Sequence, residues 1–365
     1  MSVARAPGMK GGEHRPAPIV FGFLRIVGSG GASTSGSIDW QPGGRGQQQL
    51  DWIVQAGLGP LLRWAARDDD RLPQAWAQTL LAADLTARVR HAAIADTALD
   101  VLDACRNLDV EATLLKGISV SDTLYPAPHM RPMGDIDVLV RPRDHPGVEA
   151  ALLASGFVRL PYPDLPGHHH GAPLRHARRR TLVELHTALF PQSAPVHDAA
   201  VFDAAHLRAQ RRTAEHAGRR VFHLTPEVQL AYIAAAWFND MANSGFHPSF
   251  LASLVDALLL LRSHGAALDW EALLRPIDND MAKASLYAML TYVPRFGVPP
   301  APASALRRLA DNGGLVGPIQ RRAIHAALDR CMVGARRWSM PFPPPMPGRY
   351  SPRHQLRKRW GRPRA

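Results

Sequence analysis

The fold is decided by one stretch of the sequence, residues 114–144, which reads LLKGISVSDTLYPAPHMRPMGDIDVLVRPRD. Two short apolar runs, residues 112–115 and 136–140, have the length of buried strands, and each ends close to a glycine or a proline. A helix is expected to begin at Lys116-Gly117, directly after the first run. We therefore predict a strand, a helix and a second strand in this order.

Two acidic residues, Asp135 and Asp137, lie at the start of the second predicted strand. Because side chains alternate along a strand, both carboxylates project from the same face. Two anions this close repel each other, and hard divalent cations with oxygen ligands commonly neutralise such a pair. An exposed strand start is the alternative. An EF-hand calcium loop is excluded, because its sixth and twelfth positions would be Val140 and Pro146 instead of Gly and Glu.

A third carboxylate, Glu184, lies in the alternating run of residues 182–186, which is predicted to be another strand. If this strand lies beside the first, three carboxylates on one face would form a two-metal site of the kind that promotes phosphoryl displacement. Lys116-Gly117 adds a cation and backbone N–H groups at a helix N-terminus, where phosphates bind favourably. The alternative for Lys116 is a solvated side chain at the end of a strand.

Outward from this stretch, the composition divides the chain into five segments. Residues 1–48 are rich in Gly, Pro and Ser and are expected to be disordered. Helical periodicity predicts a helical segment at 49–109 and a helical domain at 223–335, on either side of an α/β core at 110–222. Residues 336–365 form a proline-rich and basic tail. The predicted fold class is α/β (α+β), with a small mixed sheet and helices before and after it.

The composition excludes several classes of protein. With 46% apolar and 20% charged residues and only two cysteines in 365 residues, the chain is neither a disulfide scaffold nor a collagen-like repeat. Cys105 and Cys331 lack the spacing of a zinc site and are expected to be reduced and buried. No apolar run reaches the ~20 residues that cross a bilayer. We expect a cytoplasmic protein without membrane contact.

The net charge of +12 is confined to the two ends of the chain. Residues 1–48 carry +3 and residues 336–365 carry +9, so residues 49–335 are neutral. A neutral core offers no large basic face to a nucleic acid duplex. The basic residues at 349–365 could bind RNA or an acidic partner weakly, and a solvated tail is the alternative.

These motifs resemble the uncharacterised nucleotidyltransferases, a group within the DNA polymerase beta-like nucleotidyltransferase superfamily. The resemblance extends loosely over residues 50–299. In that superfamily a glycine opens a helix, an Asp-x-Asp or Asp-x-Glu strand follows, and a later strand carries a third acidic residue. The sequence elements that match are Leu114-Leu115-Lys116-Gly117, Leu124-Tyr125-Pro126, Arg131, the strand from Asp135 to Val140, Gly156-Phe157 and Val183-Glu184-Leu185-His186.

The resemblance implies a function and a set of site residues. Asp135, Asp137 and Glu184 would hold two Mg²⁺ ions and carry the catalysis. The reaction would transfer a nucleoside monophosphate from an NTP, such as ATP, to a hydroxyl of a small molecule, peptide or protein, with release of pyrophosphate. The residues expected to contact the nucleotide are Lys116, Gly117, Ser119, Arg131 and His186. The alternatives are a catalytically inactive relative that binds a nucleotide or a partner, and an RNA-directed transferase that uses the basic tail.

Several residues near the motifs have more than one interpretation. Arg131 could stabilise phosphate charge or orient Asp135 through a bidentate pair, and His186 could be structural or contact the substrate. Asp256 is expected to be a buried, paired carboxylate. Residues 178–180, all arginine, could receive an anionic acceptor or form an exposed hairpin turn. The histidines at 168, 169, 170 and 176 could be exposed loop residues, zinc ligands or part of a substrate-binding lip.

Overall fold

The computed structural model describes residues 18–30, 38–162, 167–244 and 250–334. The basic tail at 349–365 lies outside the described residues, as do residues 1–17, 31–37, 163–166, 245–249 and 335–348. Within the described ranges, none of the helices combines the length and the apolarity needed to cross a membrane.

The chain forms one mixed sheet with helices on both faces, which confirms the predicted α/β class. The strands are β1 (Thr113–Leu114), β2 (Asp135–Leu139), β3 (Phe157–Arg159), β4 (Leu174–His176), β5 (Leu182–His186), β6 (Arg211–His216) and β7 (Arg219–Leu224). Their order across the sheet is β3-β4-β5-β2-β1-β7-β6. The pairs β2–β5 and β1–β7 are parallel, and the other neighbours are antiparallel.

Helices precede, interrupt and follow the strands. Before the sheet lie α1 (Ile19–Ser29), α2 (Gly44–Gln55), α3 (Gly59–Ala65) and α4 (Gln74–Asn107). Among the strands lie α5 (Lys116–Leu124), α6 (His145–Ala154) and α7 (Ala204–Ala209). After the sheet follow α8 (Pro226–Ser244), α9 (Phe250–His264), α10 (Trp270–Leu274), α11 (Asp280–Tyr292), α12 (Ala303–Ala310) and α13 (Pro318–Gly334).

The two faces of the sheet pack against different helices. On the back face, buried side chains such as Ile136, Val138 and Val183 form a core with residues of α4 and α6. The front face, which carries Asp135 and Asp137, adjoins a larger core that includes Leu115 and residues of α8 and α9. Alternation along β2 thus separates the apolar side chains at the back from the carboxylates at the front.

The predicted disorder of residues 1–48 is wrong for α1. Val20, Phe23, Leu24 and Val27 are fully buried, in the same core as the helices that follow the sheet. Arg262 of α9 also donates a hydrogen bond of 2.8 Å to the Val27 carbonyl oxygen. The helix is only 11 residues long, and the Gly-, Pro- and Ser-rich sequence on either side of it favoured the prediction of disorder.

One face of the long helix α4 is more exposed than its sequence predicts. Leu81, Leu85 and Val89 recur at helical spacing, which predicts a buried stripe. They are instead 41%, 54% and 75% exposed, and the helix buries Ile94, Val101 and other residues nearer its C-terminal end.

We predict that loss of a buried side chain of α1 destabilises the whole fold. Phe23→Ala removes a fully buried ring and should lower the free energy of unfolding by about 3–5 kcal/mol, measured by urea denaturation. Leu85→Ala, at an exposed apolar position, should change the stability by no more than about 0.5 kcal/mol. Equal effects of the two substitutions would contradict the burial of α1.

Candidate functional site

The carboxylates meet because β2 and β5 are parallel neighbours. In their register Asp137 lies opposite Glu184, and residues paired in this way project from the same face. Asp137, Glu184 and His186 each offer one ligand atom, and these three atoms lie within 4.8 Å of one another. Asp135 lies two residues before Asp137 and therefore on the same face of β2.

Two side chains, Lys116 and His186, bind the Asp137 carboxylate. The Lys116 Nζ and the His186 Nε2 each lie 2.7 Å from Asp137 Oδ1. Burial would raise the pKa of Asp137, but the hydrogen bond from His186 and the charge of Lys116 lower it to about 2. An ionised carboxylate only accepts hydrogen bonds, so the His186 Nε2 carries a proton and donates it. His186 is fully buried and therefore part of the site's interior.

Asp135 is not neutralised in this way. No hydrogen bond or ion pair involves its carboxylate within the described part of the chain. Burial, together with the charges of Asp137 and Glu184, raises the pKa of Asp135 to about 6. The site therefore holds more negative charge than Lys116 and His186 offset.

This donor set fits a hard divalent cation. Three carboxylates supply oxygen ligands from two adjacent strands, and Asp135 is a carboxylate without a counter-ion. The ligand atoms of Asp137, Glu184 and His186 lie close enough together to hold a metal, and Asp135, on the same face of β2, could add a fourth.

The start of α5 is shaped by two unusual residues. Lys116 has a φ of 45°, in the left-handed region that non-glycine residues rarely occupy. A Cβ on Gly117 would lie 2.6 Å from Met133 Cγ and 2.9 Å from Arg131 Nη1, so only glycine lets α5 approach the segment before β2. The strained Lys116 places its ammonium at Asp137, and such strain is concentrated at functional sites.

Arg131 does not pair with Asp135, which corrects one interpretation of the sequence. Its guanidinium binds Asp256 of α9, with Nη2 2.7 Å from Oδ2 and Nε 3.1 Å from Oδ1. The Tyr125 hydroxyl donates to the same carboxylate at 2.6 Å. Asp256 is 3% exposed, so the prediction of a buried, paired carboxylate is confirmed. The preference of a buried arginine for the nearest buried carboxylate explains the arrangement.

Ser119 is buried in the interior of the protein. Its hydroxyl lies 2.9 Å from the Nδ1 of His223 on β7, and both residues are buried. This position does not fit the predicted contact with a nucleotide. The pair instead links α5 to β7.

The arginines and histidines near β4 and β5 lie in different surroundings. Residues 178–180 form the predicted exposed hairpin turn, because they connect the antiparallel strands β4 and β5. Arg179 of this turn also binds Asp100 and Thr97 of α4. His176 is buried beside Phe157. The other three histidines, at positions 168, 169 and 170, lie together, with His170 Nε2 3.8 Å from Glu184 Oε2.

Sequence reasoning missed a group on α8. Tyr232 is 2% exposed, and its hydroxyl has no hydrogen-bond partner in the described part of the structure. Burial raises the pKa of Tyr232, and Lys116 and Asp137 are close enough for their charges to affect it. Both amide atoms of Gln229, one helical turn earlier, are likewise buried without a partner. The apolar sequence of α8 is typical of a core helix and gave no sign of this.

A family model described as "uncharacterised nucleotidyltransferase" matches residues 45–297. Among solved structures, the chain is similar to the antibiotic-resistance factor ANT(2'')-Ia, with 16% identity over 50% of this chain and 88% of that chain and a TM-score of 0.33. It is also similar to an antigenic nucleotidyltransferase-like protein from Paracoccidioides brasiliensis, with 15% identity over 58% and 96% of the two chains and a TM-score of 0.35. No curated protein matches.

We predict a pH-dependent stability that arises partly from His223. Burial, reinforced by the charge of Arg212, lowers the pKa of His223 to about 4, against about 6.5 in an unfolded chain. The unfolded state therefore binds more protons between these values, so this contribution is complete above pH 6.5 and is lost as the pH falls toward 4. His223→Asn should reduce the loss of unfolding free energy between pH 7 and pH 4.5 by roughly 1–2 kcal/mol. An unchanged pH dependence would contradict the assignment.

Proposed function

Because the chain belongs to the family of uncharacterised nucleotidyltransferases, we propose that it transfers a nucleoside monophosphate from an NTP to a hydroxyl of a small molecule, peptide or protein. Pyrophosphate is the leaving group, and the reaction requires a divalent cation. The observation that carries this proposal is the parallel register of Asp137 and Glu184 beside the unneutralised Asp135.

Asp135, Asp137 and Glu184 hold the metal in this proposal. Mg²⁺, when bound by them, supplies positive charge to the phosphate oxygens and lowers the pKa of the attacking hydroxyl. His186 keeps Asp137 ionised and fixes its orientation through the hydrogen bond of 2.7 Å. The three carboxylates therefore need no rearrangement of the sheet to act together.

Lys116 and the start of α5 hold the triphosphate. The Lys116 side chain is 38% exposed, so its ammonium could turn from Asp137 to bind phosphate. The N-terminal N–H groups of α5, which Gly117 brings close to the segment before β2, favour negative charge. The acceptor oxygen attacks the α-phosphorus in line, and the bond from this phosphorus to the pyrophosphate oxygen breaks.

The front face toward α8 is the place we propose for the acceptor and the nucleoside. Tyr232 and Gln229 present a hydroxyl and an amide that lack partners, and buried polar groups normally have them. Bound substrate would supply these partners. Arg131, held by Asp256, acts as a positioning residue for the segment before β2, and it is not expected to contact phosphate.

The activity can be tested without knowledge of the acceptor. A cell extract is incubated with the protein, Mg²⁺ and isotopically labelled ATP, GTP, CTP and UTP, and mass spectrometry then searches for a product heavier by one nucleotide. We expect one such product, which disappears when EDTA is added and returns with excess Mg²⁺. Saturable nucleotide binding with no product in any extract would instead favour an inactive, regulatory relative.

We predict that Asp135→Asn separates activity from stability. Nucleotidyl transfer should fall by at least about 100-fold, as when a group that stabilises transition-state charge is removed. The free energy of unfolding should stay the same or rise by roughly 1 kcal/mol, because the substitution relieves repulsion from Asp137 and Glu184. Steady-state rates and urea denaturation measure the two effects.

The matched control is Asp103→Asn. Asp103 lies on α4 and binds Arg219 and Arg106, away from the carboxylate cluster. This variant should keep the wild-type rate. Full activity of the Asp135→Asn enzyme would refute the proposed role of the carboxylates.

A further inference from the structure

Three consecutive histidines, His168, His169 and His170, bring ring nitrogens together beside the carboxylate cluster. One nitrogen from each ring lies within 4.8 Å of the other two. Consecutive side chains of an extended strand would point to opposite faces, but the backbone bends at His169 and brings the rings to one side. The chain therefore places three imidazoles where a single ion can reach them all.

The backbone of this segment is held in place along β5. His170 forms a bridge with His186, and the Gly171 N–H donates to the Leu185 carbonyl oxygen at 3.2 Å. The His169 carbonyl oxygen accepts a hydrogen bond of 2.7 Å from the Thr187 N–H. A site built on this segment would therefore be positioned by the sheet.

The tautomer of His170 is fixed by a contact with the backbone. His170 Nδ1 lies 2.7 Å from the Gly171 carbonyl oxygen, which only accepts, so this nitrogen carries the proton and Nε2 has the lone pair.

One nitrogen of the cluster lacks a partner. His169 Nδ1 is buried without a hydrogen bond in the described structure. A buried polar atom without a partner is costly, and the neighbouring rings of His168, His170 and His186 offer it none. The nearby Tyr162 hydroxyl instead lies 2.9 Å from His168 Nδ1 and 3.4 Å from His170 Nε2.

We propose that His168, His169 and His170 form a binding site for a zinc-class transition-metal cation, separate from the oxygen-donor site of Asp135, Asp137 and Glu184. Imidazole nitrogens favour Zn²⁺, Co²⁺ and related ions, whereas carboxylates favour Mg²⁺. Three protein ligands leave a fourth position open for water or substrate, as in catalytic zinc sites. The two sites are neighbours, since His170 Nε2 lies 3.8 Å from Glu184 Oε2.

The site is tested with Co²⁺ as the probe, because its visible absorption reports the ligand field. Titration of the full chain in excess Mg²⁺, which occupies the carboxylates, should show one equivalent of bound Co²⁺ that Zn²⁺ displaces. His169→Asn and His170→Asn should each weaken this binding at least tenfold. Asp135→Asn and His206→Asn should leave it unchanged, since Asp135 belongs to the oxygen-donor site and His206 lies on α7.

X-ray absorption at the zinc edge provides a second test that needs no substitution. The wild-type protein with one equivalent of Zn²⁺ should show three imidazole nitrogens at roughly 2.0–2.1 Å. An oxygen-only shell, or Co²⁺ binding that the Asp135 substitution abolishes and the histidine substitutions do not affect, would overturn the proposal. Because these readouts are spectroscopic, failure of the zinc-class site leaves the proposed nucleotidyl transfer untouched.

Discussion

The parallel pairing of β2 with β5 is the constraint on which the rest of the site depends. It places Asp137 directly opposite Glu184, with Asp135 on the same face, so like charges are held side by side. Such an arrangement costs free energy unless cations offset it. Lys116 and His186 do so at Asp137, and the strained backbone of Lys116 shows that the chain accepts a local cost to place that ammonium.

The helices determine which residues reach the front of the sheet. Helices α1, α2 and α3 share one hydrophobic core with α8, α9 and α11, so segments at both ends of the described chain support the same face. The buried pair of Arg131 and Asp256 fastens α9 to the segment that leads into β2, and thereby fixes where β2 begins. A buried ion pair of this kind is strongly destabilising when one partner is lost, which ties the position of Asp135 to α9.

Local patterns in the sequence were enough to predict the mixed fold, the faces of β2 and β5, and the burial of Asp256, because each depends on alternation or on apolar context. The partner of Arg131 was not predictable, since it lies 125 residues away and nothing local marks it. Helix α1 was missed because it is short and lies within a Gly-, Pro- and Ser-rich stretch that is typical of disordered sequence. Tyr232 was missed because the apolar sequence of its helix, α8, is typical of a core helix.

The role of the carboxylates is tested most directly by a crystal structure of the protein with Mn²⁺ and a non-hydrolysable NTP, with data collected for anomalous scattering. We expect Mn²⁺ peaks at about 2.1 Å from carboxylate oxygens of Asp135 and Asp137, and Lys116 displaced from Asp137 toward the phosphates. An ordered nucleotide with no Mn²⁺ at these carboxylates, and with Lys116 still on Asp137, would contradict it.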